Sequence, residues 1–92
     1  MKATHFTVEK AEKVALTLGI DWHSVRFDTE QFRWGMDVEM EHGTRDPQTN
    51  VTDDDPLVTG KIALAHLREF PDYYTRLSTM ESAADAYWKN DR

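Results

Sequence analysis

Cysteine is absent from the 92 residues, which removes disulfides, thiolate zinc sites and cysteine nucleophiles together. Three prolines and four glycines are too few for a collagen-like or low-complexity chain. No apolar run approaches the roughly 18 residues that cross a bilayer, and Met1 to Lys10 lack the apolar stretch of a secretory signal. Basic residues are the minority: eleven Lys and Arg against seventeen Asp and Glu leave a formal net charge of −6, which repels phosphate backbones and anionic lipid. Phosphate-loop and dinucleotide glycine patterns are missing, as is a nucleophile elbow, because Gly60-Lys61 lacks the preceding glycine that a phosphate loop requires. These absences lead to an expectation of a cytoplasmic acidic protein, without membrane or direct nucleic-acid binding and without support for catalysis.

What is present is enough to fold. Apolar residues make up 39% of the chain, with three Trp, three Tyr and four Phe, and the length fits a single domain over residues 1–92 around one core. The periodicity is helical throughout. Thr7 can cap a helix in which Val8, Ala11, Val14, Ala15 and Leu18 recur at three- and four-residue steps, and Gly19 offers the left-handed stop. After a link from Ile20 to Phe27, Asp28 with Gln31 forms a capping-box signature for a second helix to about His42, ended by Gly43. Thr44 to Asp55 is polar and aperiodic, and is predicted to be a long loop that is either mobile or a functional surface. Asp55-Pro56 opens a third helix to about Glu69, and Phe70-Pro71-Asp72 breaks it before a fourth that runs to about Trp88. The fold class is all-α: a compact bundle of about four helices with a buried third helix. Gly35 and Gly60, inside helices, are expected at close helix approaches.

Polar residues fall where the core should be. On the second helix Phe32, Gly35, Met36 and Met40 share one side, with Glu39 in their middle and His42 at the edge, while Arg33, Asp37 and Glu41 lie opposite. On the third, Val58, Ile62, Ala65 and Phe70 surround His66, with Glu69 one turn on, Leu57, Leu64 and Leu67 on the other side, and Lys61 and Arg68 outward. Glu39-x-x-His42 and His66-x-x-Glu69 each set a carboxylate and an imidazole about one turn apart. Antiparallel packing would level the two histidines with each other and the two glutamates with each other. Two readings of Glu39, His42, His66 and Glu69 stay open: a divalent-metal centre for zinc, iron or manganese, or a satisfied polar network. Glu-x-x-His is also the ligand motif of two-metal bundles, but those use further glutamates, so the complement is incomplete here. Tyr73, Tyr74, Leu77, Met80, Ala84, Tyr87 and Trp88 form an apolar stripe on the fourth helix, expected to be core. Asp53, Asp54 and Asp55 lack the register of a calcium loop and suit a capping turn. His5 and His23 read as surface residues.

Three segments carry a resemblance: Gly35-Met36-Asp37-Val38-Glu39-Met40-Glu41-His42-Gly43, Thr59-Gly60-Lys61-Ile62-Ala63-Leu64-Ala65-His66-Leu67, and Glu69-Phe70-Pro71-Asp72-Tyr73-Tyr74. Together they resemble a family of small bacterial, phage and environmental proteins known only as a domain of unknown function, over roughly Val8 to Glu81. The resemblance implies a small standalone, phage-associated protein; it supplies no activity, cofactor or site. The functional expectation is a non-catalytic helical binding protein with a protein partner and a buried Glu/His centre. The alternative is an inhibitor or sequestering protein acting on a host protein through its acidic surface, with Asp37, Glu41, Asp53, Asp54 and Asp55 standing in for phosphates.

Overall fold

The computed structural model describes residues 6–90. Each helix starts and stops where local chemistry satisfies its end groups. α1 (Val8–Leu18) begins at Thr7, whose hydroxyl accepts from the Lys10 N–H at 3.1 Å, and ends at Gly19, where φ is 76° and the N–H donates to the Ala15 and Leu16 carbonyls. α2 (Thr29–Glu39) starts at Asp28, whose carboxylate accepts from the Gln31 N–H at 2.9 Å. The capping box is only half formed, because the Gln31 amide reaches across to the Thr75 hydroxyl at 3.0 Å instead of turning back. A 3-10 turn, Met40–His42, extends α2. Asp55 caps α3 (Pro56–Glu69) twice, accepting from Leu57 and Val58 N–H at 2.8 and 3.2 Å, with proline in the first turn. Phe70 is extended (φ −142°, ψ 120°), as the residue before a proline should be, so the chain breaks there before α4 (Tyr73–Asn90).

α3 packs against all three other helices. Small residues allow this: Thr59, Gly60 and Ala63 are buried together with Leu64 and Leu67. A Cβ placed on Gly60 would lie 2.5 Å from Val14 Cγ1 and 3.4 Å from both Leu18 Cδ1 and Phe32 Cζ, so α1, α2 and α3 converge at that glycine. The link before α2 joins the core, with Trp22, Phe27 and Phe32 forming ring pairs 5.9 to 6.5 Å apart.

The sequence wheel for α3 is corrected by this packing. Its buried side is Thr59, Gly60, Ala63, Leu64 and Leu67; Ala65, Glu69 and Phe70 are exposed, and Val58 and Ile62 are half-buried. At about 100° per residue, His66 stands roughly 90° from the middle of the buried side and Glu69 roughly 150° away. α3 has apolar residues nearly all round, and the face that turns inward is the one small enough for two neighbouring helices to approach.

The fourth helix brings a second correction. Of its apolar stripe only Tyr74 is buried, while Tyr73 and Leu77 are half-buried and Met80, Ala84, Tyr87 and Trp88 lie open. The radius of gyration is 14.0 Å, against about 12 Å for a sphere-like domain of this length. The long dimension of 46 Å fits an 18-residue helix, about 27 Å long, whose outer half runs past the core.

The loop from Thr44 to Asp55 is folded onto itself. Val51 and Thr52 N–H donate to the His42 carbonyl, Thr44 N–H donates to Asp54 Oδ1 at 2.9 Å, and Asp53 N–H donates to Asn50 Oδ1 at 2.8 Å. Thr52 is fully buried beneath it. A Cβ on Gly43 would meet the Asp54 carboxylate, so the loop closes against a position without a side chain.

Candidate functional site

Glu39, the last residue of α2, follows Phe32 and Met36 on the stripe facing the core and is 4% exposed. A carboxylate there costs several kcal/mol unless it is bonded. Two donors answer it, and both use the same oxygen. The Tyr74 hydroxyl donates to Oε2 at 2.7 Å, and His66 Nδ1 lies 2.9 Å from it. His66 Nδ1 is also 3.1 Å from the Tyr74 oxygen, so the three groups form a closed triangle. With an acceptor-only carboxylate at this distance, Nδ1 carries the hydrogen. The His66 ring stacks on Tyr73, with centroids 4.4 Å apart and an interplanar angle of 2°, and its side chain keeps 31% of its exposure.

Tyr74 reaches this position because α2 has no side chain at Gly35. A Cβ there would collide with the Tyr74 ring. Burial, and then the adjacent Glu39 carboxylate, push the Tyr74 hydroxyl far above the ordinary phenol range, so it remains a donor at every physiological pH. The triangle thus ties three elements together: Glu39 from α2, His66 from α3 and Tyr74 from α4.

Of the four residues expected to converge, Glu39 and His66 meet, whereas His42 and Glu69 are exposed. Glu39 pairs with His66 itself, so histidine is not level with histidine. His42 sits in the 3-10 turn where its carbonyl receives the loop, and Glu69 lies on the outer side of α3. Among the described residues no group of three or more histidine, aspartate or glutamate side chains is placed to hold a metal ion. Tyr74 is the member that sequence reading assigned only to the core. The available signal was chemical, since a buried tyrosine needs a partner for its hydroxyl, and Glu39 was the core acceptor in need of a donor.

The five acidic residues expected on a partner surface divide between α2, its 3-10 extension and the loop. Asp37 is half-buried: it accepts the Phe6 N–H at 3.0 Å and pairs with Arg33 at 2.7 Å, and Arg33 also pairs with Glu30, holding that carboxyl below its usual range. Glu41 is half-buried, and Asp53, Asp54 and Asp55 are exposed on the loop, where they serve its turns and the α3 cap. His23 is exposed, and His5 lies outside the described residues.

Chemically, the triangle sets the Tyr74 hydroxyl and the Glu39 carboxylate at the same imidazole nitrogen, whereas a catalytic relay needs the nucleophile on the opposite nitrogen. Fold and site together define, over the described residues, a four-helix protein in which α2, α3 and α4 are joined by a Glu–His–Tyr clamp. The chain belongs to the family described as Protein of unknown function (DUF5661), whose model matches residues 11–83. No curated protein and no solved structure matches it.

Proposed function

We propose that this chain is a non-catalytic protein-binding domain in which the Glu39–His66–Tyr74 clamp roots α4 in the core and the outer half of α4 makes the contact. The observation that carries the reading is the open apolar stripe: Met80 is 61% exposed, Tyr87 59% and Trp88 66%, on the half of α4 that runs past the core. Isolated exposed apolar residues are ordinary, but a contiguous set on one helix face marks an interaction surface. Free-standing helix of this length is marginal in water unless it packs on something. The clamp supports the same reading, because its three groups bond each other and tie α4 to α2 and α3.

The test is a photo-reactive amino acid placed at position 88 in the full chain, with position 12 on α1 as the exposed control. A discrete protein adduct from position 88, absent from position 12 and lost on Met80→Glu, is the expected outcome. Equal or no labelling at the two positions overturns the reading.

A further inference from the structure

Resting on that reading, we infer that the partner of α4 is a second copy of this chain, paired antiparallel across Ala84. The argument starts from spacing. Tyr73, Leu77, Met80, Ala84 and Tyr87 follow steps of four, three, four and three, the seam along which two helices pack knobs into holes. The first two positions are half-buried against the molecule's own core, and the last three are open. The seam therefore continues, without a break in phase, from a packed half into an unpacked half.

The open half is complementary to itself. If residue i faces residue 168 − i of the other copy, Ala84 faces Ala84 at the crossing and the helices can approach closely. Met80 then lies against Tyr87 and Trp88 of the second copy, and the reverse contact forms on the other side of the two-fold axis. A flexible thioether against aromatic rings is a favourable pair, and a surface that matches itself under two-fold rotation is how closed dimers form. Charge opposes it only weakly. From Met80 to Lys89 the helix carries Glu81, Asp85 and Lys89, a local sum of −1 within a chain of −6, and in this register Glu81 faces Tyr87 and Asp85 faces Ala83.

The area sets the strength. Three large side chains at about two-thirds exposure give roughly 300–500 Å² per copy, so roughly 600–1,000 Å² in total, below the roughly 1,200 Å² of stable interfaces and within the range of weak, transient ones. The dimer is accordingly reversible and dependent on concentration.

The experiment uses the purified full chain, in sedimentation equilibrium from about 5 to 500 μM, the range around a micromolar constant. The expected result is a monomer–dimer transition that Ala84→Glu and Trp88→Ala abolish, while Leu16→Glu on the exposed side of α1 leaves it intact. Because the chain has no cysteine, a single one reports geometry: oxidised Ala84→Cys should form a disulfide-linked dimer and Met80→Cys should not. A monomer throughout, a dimer that survives Ala84→Glu, or a disulfide through position 80 in place of 84 each overturns the inference. In the first case an adduct from position 88 to a different protein would leave the broader binding reading standing.

Discussion

Glu39 Oε2 receives both donors of the clamp, so removing a donor and removing the acceptor have different costs. Tyr74→Phe leaves the carboxylate buried with His66 alone, and should cost about 1–3 kcal/mol. Glu39→Ala strands the hydroxyl and the imidazole and opens a cavity as well, and should cost more, about 2–4 kcal/mol. Chemical denaturation at neutral pH checks both, and a double-mutant cycle with His66→Ala should show coupling of about 0.5–3 kcal/mol. Alkaline pH gives an independent test. The folded Tyr74 hydroxyl ionises well above the ordinary phenol value of about 10 that the unfolded chain should show. Its contribution is therefore fully present below about pH 10 and is lost as pH rises from there towards the folded value. Stability of the native sequence should fall with pH above about 10, and Tyr74→Phe should make that limb shallower. Glu39 and His66 were visible in the sequence as polar groups on apolar stripes. Tyr74 was not, because its ring satisfies the same apolar pattern as leucine and only its hydroxyl belongs to the site.

At the scale of the helices, glycines mark the closest approaches. A Cβ on Gly60 would press on Val14 Cγ1 at 2.5 Å, so Gly60→Ala should destabilise by about 1–3 kcal/mol although alanine is the better helix former by about 1. Gly35→Ala should be at least as damaging, since the ring it displaces is the one whose hydroxyl bonds Glu39. A Gly35→Ala melting midpoint equal to that of the native sequence would disprove the close approach. Asp55→Ala, which removes the α3 cap, should cost about 0.5–2 kcal/mol in the same melts. Helix boundaries were legible almost to the residue because Thr7, Gly19, Asp28, Asp55 and Pro71 act locally. The buried face of α3 was not, since apolar residues lie nearly all round it and the choice of face depends on the small residues that neighbouring helices need. The same limit applies to α4: periodicity identifies an apolar stripe but does not say how far along it the core extends.

Over the whole molecule, stability should be graded along α4. Amides near Tyr74 and Leu77 are held by the core, whereas those beyond Thr79 are held by the helix alone, so at low micromolar concentration the outer turns should exchange fastest of all helical amides. Raising concentration should slow exchange there and not in α1. The His42-to-Asp55 segment, bonded to itself and seated on Thr52, should exchange more slowly than a polar loop of its length normally does. The three indoles occupy distinct environments that make these events separable by light. Trp22 lies edge-on to Phe27 and Phe32, Trp34 is half-buried on α2, and Trp88 is open on α4. Native emission should thus be a sum of partly sheltered, blue-shifted indoles and one water-exposed, red-shifted indole. A Trp88→Phe chain would report only on the packed half of the molecule, and the difference between its spectrum and that of the native chain isolates a fluorophore at the end of α4.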